Sequence, residues 1–205
     1  MISRLGSLLI LFLASLGISC GGAPSSRDRQ HVGQFEITGK DIVITDPGYD
    51  LATASRPGLG VTYNDWTPGT WNLEVAFTKH ADPALSEPKE MVAYLDTISA
   101  ADFSSLTWTV HPDDIGGDYA MIGIYDLAHF GDNSVIPKDI TWTFDGAPAD
   151  PSSLWYSMNC ELVGRKGFGA YVVPFGGVLS WDGGVVVSIG RDSSGSIVAV
   201  RFRVI

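Results

Sequence analysis

The sequence predicts a mainly β domain, folded as an antiparallel sandwich or open barrel with one short helix. Three observations predict it. Short apolar stretches, alternating or continuous, recur along the chain between turn residues, among them "TWNLEVAFT", "YAMIGIYDL" and "GGVVVSIG". The 24 glycines, 11 prolines and six tryptophans suit a turn-rich β fold. With two cysteines in 205 residues no disulfide framework holds the chain, so a hydrophobic core must.

The elements follow in order. In "QFEITGKDIVITDPGYD", Phe35 and Ile37 alternate with polar neighbours and Ile42, Val43 and Ile44 run together. Two strands separated near Gly39-Lys40 are expected, and Asp-Pro-Gly then turns the chain. Residues 51–69 read as an irregular loop. "TWNLEVAFT" alternates through Trp71, Leu73, Val75 and Phe77 and is the clearest strand. "DPALSEP" is a loop. "KEMVAYLDTIS" fits a helical face or a strand, and strand is favoured. "SLTWTV", "YAMIGIYDL" and "ITWTF" are further strands, and "DGAPADP" a turn. "SSLWYSMNCEL" is the one short helix, with Ser152 or Ser153 as its cap and Leu154, Met158 and Glu161 at helical spacing. Four strands close the chain: "GAYVVPF", "GGVLSW", "GGVVVSIG" and "SIVAVRFRVI". "RDSSGS" joins the last two as a hairpin loop, with Gly195 free to take positive φ.

The first residues are of a different kind. Arg4 is the only charge before Arg27, and Leu5 to Ile18 is apolar or small. That segment is short for a membrane span, which needs about 20 apolar residues. It reads as a secretory signal peptide over residues 1–19. Its end resembles a bacterial lipoprotein processing site: Ser19 precedes Cys20, Ile18 is acceptable, and Gly17 stands where an aliphatic residue is usual. The resemblance implies cleavage before Cys20, a lipid thioether on its sulfur and acylation, palmitate-like, of the new amino group. Several acyl chains anchor stably, because each buried methylene contributes about 0.8 kcal/mol. The alternative is an ordinary signal cut nearby, with Cys20 kept as a thiol or paired. Residues 20–33 are then a lipidated cysteine and polar tether, and residues 34–205 a single domain. The expected location is the bacterial cell envelope, facing outside the cytoplasm.

Charge narrows the partners. The chain has 13 basic and 23 acidic residues, and without Arg4 the balance is 12 − 23 = −11. An acidic surface repels nucleic acid and anionic headgroups, so the membrane is expected to hold this protein through lipid on Cys20. The remaining partner is an unknown envelope protein or glycan, with no nucleic acid and no cofactor.

The side chains offer several chemistries, each beside a plainer role. His31, His80, His111 and His129 form no metal-ligand pattern. Asp113, Asp114 and Asp118 lie in a glycine-containing loop, which suits Ca²⁺ or, more simply, a turn. Cys160 has no histidine nearby in sequence and reads as a small hydrophobe. "GRKGFG" lacks the strand-to-helix setting of a phosphate loop. Tyr49, Tyr63 and the tryptophans could stack on sugars; Trp66 and Trp181, in turn-rich stretches, are the expected exposed pair. Most of the other tryptophans sit in alternating strands as core.

From about residue 41 to the end, the chain resembles an uncharacterised bacterial family catalogued as a domain of unknown function. The resemblance rests on Asp46, Pro47 and Tyr49 in "VITDPGYD", on Asp118, Gly123 and Asp126 in "GDYAMIGIYD", and on "WYSMNCEL" with Cys160. It continues in Asp182, Gly183, Asp192 and Gly195 of the final hairpin. Tyr119 and Ala120 depart from the family's Ser-Gly. The family implies a single domain and supplies no catalytic residues. Four of the matched aspartates, Asp46, Asp118, Asp126 and Asp182, border strands. Brought together, they would make the paired carboxylates of a glycosidase or a metal site. The expected function is therefore a non-catalytic binding or interaction module. The alternatives are a hydrolase using these carboxylates and an envelope structural protein.

Overall fold

Alternating residues divide the chain between two antiparallel sheets. The computed structural model describes residues 29–79, 86–117, 120–136, 143–144, 147–148, 155, 158–159, 169–181 and 183–205. The first sheet contains β1 (Arg29–Ile37), β4 (Gly69–Phe77), β5 (Pro88–Leu95), β14 (Ile197–Val204), β13 (Gly184–Arg191) and β6 (Thr107–Val110), side by side in that order. The two-residue strand β7 (Ile115–Gly116) also pairs with β13. The second sheet runs β11 (Gly169–Val173), β12 (Gly176–Ser180), β8 (Met121–Asp126), β2 (Ile42–Thr45) and β3 (Gly60–Tyr63). A small ribbon pairs β9 (Thr143–Phe144) with β10 (Ala147–Pro148). This is the sandwich alternative of the sequence reading, not a closed barrel.

The main core fills the space between the sheets. Trp71, Leu73 and Val75 of β4 and Val185, Val187 and Ile189 of β13 enter it from one side. Ile42 and Ile44 of β2, Ile122 and Ile124 of β8 and Leu179 of β12 enter from the other. The period of two explains β4 and β13 directly, since alternate side chains face one way. The unbroken "IVIT" of β2 has a different cause. Val43 points to the outer face, where Met121, Tyr125, Val173 and Val178 pack under Trp155, Met158 and Ala54. A strand covered on both faces needs apolar residues at every position.

The structure corrects some of these expectations and bears out others. β1 begins at Arg29, inside the stretch assigned to the tether, because pairing with β4 gives this polar segment partners for its backbone. Residues 51–69 are ordered in part. Helix α1 (Leu51–Ala54) follows the Asp-Pro-Gly turn, with the Asp50 carboxylate accepting from the Thr53 amide at 2.7 Å, and β3 comes next. The ambiguous "KEMVAYL" forms β5, a strand. Of the helix assigned to "SSLWYSMNCEL", Trp155, Met158 and Asn159 are helical, and its other residues lie outside those described. The final hairpin has the expected turn: Gly195 takes φ +86°, and Asp192 accepts from the Ser194 and Ser196 amides. No helix among the described residues is long and apolar enough to cross a membrane.

Candidate functional site

Asp46 closes β2 and is fully buried. Its Oδ1 accepts the Gly48 amide at 2.7 Å, and its carbonyl accepts the Tyr49 amide at 3.1 Å. These bonds shape the turn that carries the half-buried Tyr49. Gly117 presses on the other side of the carboxylate. A Cβ there would stand 2.7 Å from Asp46 Oδ2 and 2.6 Å from the Met121 carbonyl, so glycine is required by close approach. The Trp181 amide donates to the Ala120 carbonyl at 2.8 Å, at the same end of β8 and β12. Asp118 and Asp182 themselves lie outside the described residues, but their chain neighbours Gly117, Ala120, Trp181 and Gly183 gather at this end.

Asp126 is not part of that gathering. It closes β8, which runs antiparallel to β2, and the register sets it opposite Ile42. Four residue steps along the strand take Ile42 to Asp46, a distance of about 13 Å along the sheet. A working glycosidase pair sits about 5–9.5 Å apart. The Asp126 carboxylate is committed elsewhere. Oδ2 accepts both the amide and the hydroxyl of Thr38, and Oδ1 accepts the Ala128 amide at 3.0 Å. Burial pushes this carboxyl up, but the Thr38 hydroxyl, the Thr38 and Ala128 amides and nearby His129 outweigh it and hold it below its ordinary range. Asp126 thereby fastens the β1–β2 turn to the end of β8. A shallow hollow of about 220 Å³ lies over this junction, lined by Gly39, Asp41, Asp126, Leu127 and Ala128.

Between these two ends, Tyr125 fills the outer face of the second sheet. Its ring lies across Gly123, where a Cβ would come within 2.4 Å of the phenol. Phe130 and Trp155 pack around it, with ring centroids 5.2 and 5.7 Å away. The hydroxyl faces Asn159 Oδ1 at 3.5 Å, and Asn159 Nδ2 donates to the Trp155 carbonyl at 2.8 Å. Burial first, and the Asp46 carboxylate second, raise the phenol well above its usual pKa, so it stays neutral. Tyr125 is not among the site residues that the sequence predicts. Its signal is Gly123 two residues earlier, on the same face, leaving room for the ring.

The expected aromatic pair is corrected. Trp66 is 1% exposed, because its backbone bridges to Ile197 and its ring stacks on Trp71 at 4.7 Å. It belongs to the core. Trp181 is half-buried against the same core, and a Cβ on Gly183 would meet its Nε1 at 2.7 Å. The two indoles do not form an exposed sugar-stacking face. Cys20 and Cys160 lie outside the described residues. No group of three or more metal-ligating side chains occurs among the described residues.

The outer face of the first sheet carries a charged cluster that the sequence reading also missed. Arg29, with its side chain 1% exposed, donates from Nε and Nη2 to Glu90 at 3.1 and 2.9 Å. Glu74 lies 3.9 Å from Arg29 and accepts the Tyr94 hydroxyl at 2.8 Å. Burial and Glu74 push the Tyr94 phenol up to about 12. Arg29 lies under the Phe103 ring and Arg201 under the Trp108 ring, each 5.4 Å from the centroid. Burial draws the Arg201 pKa down, against the opposing charge of Glu90. Such enclosed, mutually paired charges organise a sheet face rather than bind a mobile ligand.

Family models, curated proteins and solved structures were all compared with this chain, and none matches.

Proposed function

We propose that the chain is an exported protein, lipid-anchored at Cys20 to a cell-envelope membrane, whose β sandwich works as a non-catalytic interaction module. The observation that carries this reading is the order of the chain. A positive head and an apolar segment end at Cys20, and the folded strand β1 opens only eight intervening residues later at Arg29. Fully extended, that span reaches about 30 Å, enough to hold a small domain just clear of lipid. The commitment of Asp126 to Thr38 and Ala128 supports the non-catalytic part, since it withdraws one carboxylate from the set a hydrolase would need.

Mass spectrometry of the mature amino terminus tests the anchor. The expected product starts at Cys20 and carries a thioether-linked lipid, and Cys20→Ala protein leaves the membrane fraction. A wild-type chain without lipid, or a Cys20→Ala chain that stays membrane-bound, overturns the reading. A carboxylate hydrolase is the second reading, and one observation favours it: Gly117, next to Asp118, packs on the Asp46 carboxylate, and Trp181, next to Asp182, bonds to Ala120 at the same end of the sheet. It predicts hydrolysis of aryl glycosides that Asp46→Asn abolishes; an inactive wild-type protein on such a panel removes it.

A further inference from the structure

A sheet edge is stable in solution only if something discourages pairing, and the sandwich treats its edges unequally. Edge strand β1 is long, but it carries Arg29, His31 and Glu36, has a register shift between His31 and Gly33, and packs on Val172 of β11. Edge strand β11 is mostly buried. Edge strand β3 is closed at one end by α1, where a Cβ on Gly60 would meet the Ala54 carbonyl at 2.4 Å. Edge strand β6 has none of these devices. Its sequence is Thr107-Trp108-Thr109-Val110, without charge, proline or register shift. Thr107, Thr109 and Val110 are exposed, Val110 at 41%.

The register identifies the backbone groups on offer. The His111 amide donates to the Val187 carbonyl at 2.9 Å, which makes residues 111, 109 and 107 the positions bonded to β13. The amides and carbonyls of Trp108 and Val110 therefore point away from the sheet. The edge also lies at the opposite side of the sheet from β1. Five strand spacings separate it from β1, about 24 Å across the sheet.

Charge selects the occupant. Exposed Asp102 precedes the strand, and exposed Asp113 and Asp114 follow it. Among the described residues the nearby basic groups are engaged: Arg191 pairs with Asp65 at 2.7 Å, and Arg201 lies buried under Trp108. A second copy would bring the same carboxylates and a further net charge of −10 to the edge. We propose that β6 is a docking edge for an extended segment of another polypeptide, which adds as a strand through Trp108 and Val110 and carries Lys or Arg at its ends to face Asp102, Asp113 and Asp114. This rests on the interaction-module reading and names the surface and the class of partner.

The test uses the mature full chain in detergent and two capped peptides, Lys-Val-Thr-Val-Thr-Lys and its counterpart with Glu at both ends. NMR hydrogen exchange reads the Trp108 and Val110 amides. The Lys peptide is expected to slow both at least tenfold and to bind at least tenfold more tightly than the Glu peptide. Val110→Pro removes the outward amide and is expected to abolish binding. Should that variant fail to fold, the surface change Asp113→Lys with Asp114→Lys is expected to weaken the Lys peptide and favour the Glu peptide. Three outcomes overturn the proposal: no peptide-dependent protection, equal binding of the two peptides, or protection that grows with protein concentration alone, which would make a second copy the occupant. A chain that carries lipid but protects neither amide loses only the docking edge. One that protects both amides but carries no lipid loses only the anchor.

Discussion

At the scale of single residues, Asp126 shows how a carboxylate that looks catalytic in sequence becomes a fastener in space. It ends a buried strand, and its oxygens accept three hydrogen bonds, two of them from Thr38. Bonds to a charged acceptor contribute about 1.5–3 kcal/mol each at most, and a buried donor left without its acceptor is costly. Asp126→Ala is expected to lose about 2 kcal/mol at pH 7 in urea unfolding. The pH dependence follows from the depressed carboxyl. Its stabilisation is present above the unfolded pKa near 4 and is lost as pH falls through the lower folded value. The gap between wild type and variant should therefore narrow below about pH 4. A gap independent of pH would mean that the side chain acts through packing alone. Gly117 is the second such residue. Gly117→Ala places a methyl against Asp46 Oδ2 and the Met121 carbonyl, and about 1–3 kcal/mol of destabilisation is expected in thermal melts. An unchanged melting temperature would show that the end of β2 yields freely.

At the scale of elements, β1 is held by charge as well as by its ladder. Arg29 lies nearly enclosed, and Glu90 of β5 supplies its closest carboxylate. Removing one partner of a buried pair leaves the other charge uncompensated, at about 3–5 kcal/mol. Glu90→Ala is expected to lower the thermal midpoint by roughly 6–20 °C for a domain of this size. Replacing both partners, Arg29→Met with Glu90→Leu, should recover most of it, and failure to recover would assign the effect to lost packing. The sequence reading could not find this pair because its members lie 61 residues apart and meet only through the β1–β4–β5 register. It missed α1 and β3 for a local reason: each has four residues and lacks the continuous apolar run that marks the equally short β2. The strands it did find, such as β4 and β13, have eight or nine residues with a continuous or alternating pattern.

At the scale of the whole molecule, the protein's excess of acidic residues opposes attraction to any anionic surface. Its net charge of −10 opposes binding to anionic lipid. A chain lacking residues 1–20 is accordingly expected to ignore phosphatidylserine vesicles in flotation at low salt, where electrostatics is strongest. Flotation with the vesicles would reveal a membrane-binding surface on the sandwich itself. The same charge acts at the β6 edge, where it discourages a second copy and leaves room for a basic partner.

Fold class and the longer strands were already determined by the sequence. Alternation and turn chemistry are local, and they report which face of a strand is covered regardless of what covers it. The tertiary structure alone decided which side chains share a site. Trp66 sits among turn residues, yet a bridge to Ile197 and the ring of Trp71 draw it into the core. Asp46 and Asp126 each end a strand, and a local pattern treats them alike. The antiparallel pairing of β2 with β8 sends them to opposite ends. Direction of pairing is a long-range property, written in no single segment, and it separates carboxylates that their sequence motifs had grouped.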